Sequence, residues 1–291
     1  MLQALASRDL ATAEAWAEEF GVPEAHGSYQ ALLADPTVDA IYIPLPNELH
    51  EPWVIAAADA GKHVLCEKPL ARNSAEARRM VDHCRARGTL LMEAFMWRHQ
   101  PRTAALRTLV ADGAIGSLRL VRSSFSFPID LNDWRLDPKR GGGALWDVGC
   151  YGVSTTRLFA GSEPEAIVAQ ARFSASGVDL SLTASLRFRD GVLGLIDCSF
   201  EQPFRCHYEL VGTRGTIEVP DAYLPPAEPV ARLRRLDDST EELRFEGNDQ
   251  YGAMVDALAL GVAQGALPDP AEDGLAQMLA LDAILAAARP K

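Results

Sequence analysis

Three short apolar runs, "DAIYIPLP", "HVLCE" and "TLLMEAF", follow one another between residues 39 and 95, with helical stretches between them. This repetition constrains the fold more than any other feature. The runs are nearly continuous in apolar residues rather than alternating, so each strand has both faces covered, as in a parallel sheet with helices on either side. The intervening stretches carry helix punctuation. Asp9 is placed to cap a helix over "LATAEAWAEEF" that Gly21 ends. A short helix over "SYQALLAD" is stopped by Pro36, and one from about Leu49 to Ala60 by Gly61. Asn73 with Glu76 three residues on forms a capping box opening a helix to Arg87, which Gly88 ends. "LQALAS" reads as a further short strand at the start.

Beyond residue 97 the pattern changes. A helix over about 101–112 precedes "SLRLVRSSFSF", and a second runs over about 144–160. Short strands then dominate: "EAIVAQARFS", "LSLTASLRF", "VLGLIDCSF", "CHYELVG" and "TIEVP". In "LSLTASLRF", Leu180, Leu182, Ala184, Leu186 and Phe188 fall on one face and Ser181, Thr183, Ser185 and Arg187 on the other, the mark of an antiparallel sheet with one face on a core. "LPPAEPVARLRRLDDSTEELRF" is Pro-rich and charged and reads as a surface excursion. Helices over about 250–264 and 272–288 close the chain. The expected architecture is α/β: residues 1–96 a Rossmann-type, doubly wound parallel sheet, and residues 97–291 an α+β domain with a large, mainly antiparallel open sheet.

Composition narrows the function. The 291 residues are 48% hydrophobic with a net charge of −12, enough apolar content for a sizeable core. No Lys/Arg block offers a nucleic-acid surface or a basic membrane face. The apolar runs are too short to span a bilayer, and the N-terminus lacks signal-peptide regions. The five cysteines show no C-x-x-C spacing and read as reduced thiols of a cytoplasmic protein. The six histidines form no zinc-type pattern, so no metal site is expected.

In an open α/β sheet, ligands bind outside the carboxyl ends of the strands. Three strand ends here carry polar or proline-rich loops: Pro44, Leu45, Pro46, Asn47 and His50 at one, Glu67 and Lys68 at the next, Glu93 and Arg98 at the third. Any one of them alone reads equally well as a surface turn. Together they point to one crevice. Further on, "GGGALWDVGCYGV" opens with Gly141-Gly142-Gly143, where backbone can approach another chain segment or a ligand. Asp147 and Tyr151 then stand four apart on one helical face. Taken alone they read as a solvated carboxylate and a half-buried phenol; together they can orient a hydroxyl and relay its proton.

"CEKPLA", "PNELH" and "GGGALWDVGCYGV", in this order, resemble the glucose–fructose oxidoreductase/inositol dehydrogenase (Gfo/Idh/MocA) family over essentially the whole chain. "NDWRLDPKRGGGALWDVGCY" is most similar to its aldose, xylose, anhydrosugar and dihydrodiol dehydrogenase branch. The resemblance implies a catalytic Lys68, Tyr151 at the position of the catalytic Tyr or His, and Asp147 as the carboxylate before it. It implies Glu67 beside the nicotinamide ribose, with Arg98, Trp134 and Arg135 near the nicotinamide end. It also implies a sugar-like substrate and a homodimer or homotetramer. The chemistry is hydride transfer: a lysine ammonium stabilises the developing alkoxide and lowers the pKa of a neighbouring phenol, so that Tyr151 accepts the proton near neutral pH. Ser7 and Arg8, after the strand "ALAS", offer a hydroxyl and a guanidinium to a 2′-phosphate, while Asp9 is explained by capping. The expected cofactor is therefore NADP rather than NAD. A catalytically silent regulator on the same fold is the alternative, but it would need none of Lys68, Asp147 and Tyr151.

One departure is large. No G-x-G-x-x-G turn occurs in residues 1–60. "MLQALAS" matches the family's second strand, so a first βα unit of about 30 residues is expected to be missing, through a start codon assigned too late or a genuine truncation.

Overall fold

A computed structural model describes residues 1–289. Its first third contains β1 (Ala4–Ala6), α1 (Leu10–Phe20), β2 (Glu24–His26), α2 (Tyr29–Ala34), β3 (Ala40–Ile43), α3 (His50–Asp59), β4 (His63–Glu67), α4 (Ser74–Arg87) and β5 (Leu91–Ala94). Every pairing among these strands is parallel. They form two sheets, β1–β2 and β3–β4–β5, with no ladder between β1 and β3.

The caps explain the boundaries. Asp9 accepts the Thr12 N–H at 2.8 Å and Asn73 that of Glu76 at 2.9 Å, while Gly21 and Gly88 adopt left-handed conformations at the far ends. β2 was not foreseen: three residues are too few to show a period.

The remainder begins with α5 (Pro101–Ala111) and β6 (Leu118–Ser126). A π turn over Leu145–Gly149 leads into α6 (Cys150–Ala160). The strands β7 (Ala166–Phe173), β8 (Asp179–Arg187), β9 (Leu193–Ser199), β10 (Arg205–Gly212), β11 (Gly215–Val219), β12 (Val230–Arg235) and β13 (Thr240–Arg244) follow, and then α7 (Gln250–Gln264) and α8 (Ala271–Ala288). β6 to β13 make one eight-stranded sheet in the order β13-β12-β11-β10-β6-β9-β8-β7, antiparallel except between β6 and β9. The charged stretch expected to be a surface excursion is instead the β12–β13 hairpin, with Ala231 and Leu233 buried between outward arginines.

One face of this sheet packs on α6 and α8. In β8, Leu182, Ala184 and Leu186 are buried while Thr183, Ser185 and Arg187 are exposed, the predicted alternation. The opposite face is open. α8 also packs against α4 and β5, tying the two halves together. Among the described residues, no helix is long and apolar enough to cross a membrane.

Candidate active site

The strand β4 ends on Glu67, and Lys68-Pro69-Leu70 forms the turn beyond it, with a cis bond between Lys68 and Pro69. The turn is held from both sides. The buried His50 ring reaches the Leu45 carbonyl with Nε2 at 2.7 Å and the Pro69 carbonyl with Nδ1 at 3.1 Å. From the other side Glu93 Oε1 accepts the Leu70 N–H at 2.8 Å. Burial lowers the His50 pKa, and the ring braces the Pro44–Asn47 loop against the lysine turn. Expected as a cofactor contact, His50 instead turns both ring nitrogens toward main-chain carbonyls, of which its one N–H in the neutral ring can serve one side at a time.

The Lys68 ammonium donates to the Asp147 main-chain carbonyl at 2.8 Å and to its Oδ1 at 3.1 Å. It stands 5.0 Å from the centre of the Tyr151 ring, within cation–π range. Burial opposes the ammonium's charge, but Asp147 and neighbouring groups outweigh it and hold the lysine pKa well above its usual value. Burial likewise works against ionised Asp147, and Lys68 with Arg135 outweighs it, leaving the carboxyl below its ordinary range. Arg135 Nε lies 3.1 Å from the same Oδ1, and its Nη1 pairs with Asp133. Trp134 is flanked by Arg135 and Arg140, whose guanidinium carbons lie 4.8 and 5.2 Å from its ring centre. The Trp134-Arg135 segment therefore reaches this cluster.

Asp147 sits on the π turn Leu145–Gly149, and Tyr151 on α6, which begins at Cys150. Such turns are rare and collect at functional sites. Its position is set by two contacts. Gly142 meets the Arg135 carbonyl so closely that a Cβ would lie 2.2 Å from that oxygen. Gly143, at φ +139°, faces Asp179, whose Oδ2 accepts the Leu145 N–H at 2.7 Å. The glycine run therefore serves close packing of chain on chain. Burial raises Asp179 to about 7 against the pull of that N–H. Asn47 joins the assembly through its side-chain N–H to the Gly141 carbonyl at 2.9 Å.

Tyr151 departs from expectation. Its hydroxyl donates to Met96 Sδ at 3.5 Å, and its ring lies among Phe95, Phe125 and Tyr223. Lys68 lies over the ring face. Burial pushes the phenol pKa well above its usual value, and the opposing effect of Lys68 does not overcome it. In this arrangement Tyr151 is not a base poised near neutrality.

Arg98 is drawn elsewhere. Its guanidinium contacts Asp269 at 2.8 Å, Asp273 at 2.6 Å and Ser154 Oγ at 2.9 Å, leaving little to offer a cofactor. Glu67, by contrast, faces the strand ends: Oε1 accepts from the Tyr42 hydroxyl at 2.6 Å. Pro44, Leu45 and Pro46 form the adjoining loop after β3. Ser7 and the exposed Arg8 follow β1. Asp9 is engaged by Thr12, while Arg8 joins no ion pair among the described residues. Sequence reasoning missed Asp179 and Tyr223, whose contacts to the site come from positions dozens of residues away. Among the described residues, no cluster of His, Cys, Asp and Glu could hold a metal ion.

Residues 1–95 match the model described as "Oxidoreductase family, NAD-binding Rossmann fold" and residues 103–218 that of the "GFO/IDH/MocA C-terminal domain". The chain belongs to the Gfo/Idh/MocA family. It is 41% identical to D-xylose 1-dehydrogenase (NADP(+)) 2 of Haloferax volcanii over 287 residues, covering 97% of this chain and 87% of that one. To trans-1,2-dihydrobenzene-1,2-diol dehydrogenase of Mus musculus it is 38% identical, covering 76% and 67%. Among solved structures it resembles KijD10, a 3-ketoreductase from Actinomadura kijaniata in complex with NADP and TDP-benzene. The TM-score is 0.91 at 35% identity, over 99% of this chain and 89% of that one. It also resembles aldose-aldose oxidoreductase from Caulobacter crescentus complexed with glycerol, with a TM-score of 0.92 at 29% identity over 99% and 90%.

Proposed function

We propose that this chain catalyses hydride transfer between NADP and a carbinol or carbonyl carbon of a sugar or a related polyol or dihydrodiol. The observation that carries this reading is the state of Lys68. An ammonium has three donors. Two are fixed on Asp147, and the third, without a hydrogen-bond partner among the described residues, can meet a substrate oxygen. A carbinol releases hydride only as its hydroxyl loses a proton, and a fixed cation beside that oxygen stabilises the alkoxide as it forms. Asp147 keeps the ammonium charged and aimed. Tyr151 supplies the wall against which Lys68 rests, and its neutral phenol gives its proton to the substrate oxygen in carbonyl reduction; in the carbinol direction the phenoxide takes that proton back. When bound, NADP supplies the hydride donor or acceptor, which no side chain can do.

The residues present fit the cofactor at its two ends. Arg8 makes no ion pair among the described residues and lies beside a strand end, while the neighbouring carboxylate is committed to a cap, a donor set suited to a 2′-phosphate. Ser7 adds a hydroxyl. The Pro44–Asn47 loop and Glu67 lie at the strand ends where the nicotinamide side binds in such folds. No glycine-rich turn for the pyrophosphate occurs among the described residues.

The reading takes residues 1–96 as the nucleotide-binding domain and residues 97–291 as the substrate and oligomerisation domain. It makes the open sheet face the contact of a homodimer or homotetramer and the cytoplasm the protein's compartment. Aldoses, polyols and dihydrodiols assayed with NADP and with NAD test it. Turnover with a sugar-like substrate that Lys68→Ala lowers by roughly 100-fold or more is expected; absence of any NADP-linked turnover across the set overturns the reading.

A further inference from the structure

We propose that Glu93 is a positioning residue for Lys68: its carboxyl holds the Leu70 N–H two residues beyond the lysine, and its buried, unpartnered second oxygen makes that hold sensitive to pH. The inference rests on the reading of Lys68 as catalytic.

Glu93 is 6% exposed at the end of β5. Its Oε1 takes the Leu70 N–H, two residues beyond the lysine, at 2.8 Å. Its Oε2 is buried with no hydrogen-bond partner among the described residues. It faces Gly274 of α8, where a Cβ would stand 3.4 Å from that oxygen. The lysine turn is thus clamped between an acceptor, Glu93, and the His50 ring.

The surroundings favour the neutral acid. Cys66 faces Glu93 from β4, Cys150 and Arg157 from α6, Asp273 from α8, and Arg98 from the turn after β5. Neither arginine bonds Glu93: their donors go to Asp269, Asp273, Ser154, Glu163 and Gln277. Burial raises Glu93 to about 8, further raised by Asp273 and only partly countered by Arg98, Arg157 and the Leu70 N–H. Near neutrality, then, the carboxyl is protonated. Ionisation leaves an anion with one unsatisfied oxygen beside Cys66 and Cys150, which flank Lys68. Such an anion draws in water or shifts the turn, and a displacement near 1 Å at a reacting group can cost about 100-fold in rate.

The test uses the full chain with three variants. Glu93→Ala is expected to lower kcat roughly 10- to 100-fold with little change in KM for NADP. Glu93→Gln, whose amide oxygen still accepts from Leu70, is expected to rescue most of that loss at pH 7 and to remove the fall in kcat above about pH 8. Independently of turnover, 13C NMR of protein labelled at glutamate carboxyls should show one resonance titrating near pH 8 that Glu93→Gln eliminates. An alkaline limb that persists unchanged in Glu93→Gln, or no such resonance, overturns the proposal. Lys68→Ala separates the two readings: full kcat there overturns the catalytic role of Lys68, whereas a loss there with an unaltered Glu93→Gln profile overturns the role of Glu93 alone.

Discussion

Asp147 grips Lys68 twice, by its main-chain carbonyl at 2.8 Å and by its carboxylate at 3.1 Å. The main-chain grip survives replacement of the side chain; the charge pairing does not. The two contacts therefore have separable consequences.

Lys68→Ala is expected to lower kcat by roughly 100-fold or more, the scale of acid–base and oxyanion contributions. Steady-state kinetics with a substrate found by the screen checks this.

Asp147→Asn keeps the carbonyl grip but leaves Lys68 and Arg135 without their shared anion. Breaking a buried pair by removing one partner costs about 3 kcal/mol or more. The sign with pH follows from the depressed Asp147 carboxyl, where the pairing outweighs burial. A depressed acid contributes stability above its unfolded value and loses it as pH falls through the folded one. The stability gap between wild type and Asp147→Asn should be constant above about pH 5 and close on acidification below the ordinary aspartate range. Urea unfolding at a series of pH values measures it. A gap that widens on acidification would show that Asp147 is not stabilised in its ionised form.

The glycine turn gives a prediction about precision. At Gly143 a Cβ would lie 2.2 Å from Asp179 Oδ1, at a φ of +139° that other residues rarely adopt. Gly143→Ala must displace either the turn or Asp179, which holds the Leu145 N–H at the entry to the π turn. A loss of about 2–4 kcal/mol is expected, with kcat reduced because Asp147 moves with that turn. Denaturant unfolding and kinetics on the same preparation read both effects.

Local signals made much of this legible in the sequence. Asp9, Asn73, Gly21 and Gly88 act within three or four residues of themselves, and each cap lies where the pattern put it. The continuous apolar runs became the parallel strands β3, β4 and β5. The hidden parts depend on distant partners. Arg98 is claimed by Asp269 and Asp273, more than 170 residues on. Tyr151 points at Met96 among aromatic residues that come from three separate segments. The β12–β13 hairpin did carry an alternating pattern, but its outward face is so charged that the run read as solvent-exposed loop.

The open face of the large sheet predicts assembly. Val168 is 70% exposed and Leu195 41%, beside Thr183, Ser185 and Asp197. Apolar side chains on an uncovered sheet face favour burial against a partner. Light scattering at micromolar concentration is expected to give a dimer or tetramer mass. The double substitution Val168→Glu and Leu195→Glu should shift it toward the monomer, and a monomeric wild type would remove the face from consideration.

Cofactor choice turns on Arg8. Position 9 carries a carboxylate, and a free carboxylate after this strand would accept from the ribose 2′-OH of NAD and repel the 2′-phosphate of NADP. Here Asp9 is engaged twice by Thr12, at 2.8 Å from the main-chain N–H and 2.8 Å from the hydroxyl. Those bonds, with the main-chain one leading, hold its pKa below the usual value, so it stays charged and committed to the helix. Arg8 is exposed, and a guanidinium matches phosphate geometry with two parallel donors. Arg8→Ala should therefore raise KM for NADP by about 10-fold or more, the worth of a charge-assisted pair, while KM for NAD changes little. Asp9→Ser, which preserves a capping oxygen and removes the charge, should favour NADP slightly further. Equal loss with both cofactors in Arg8→Ala would show that the residue supports the strand end rather than the 2′-phosphate.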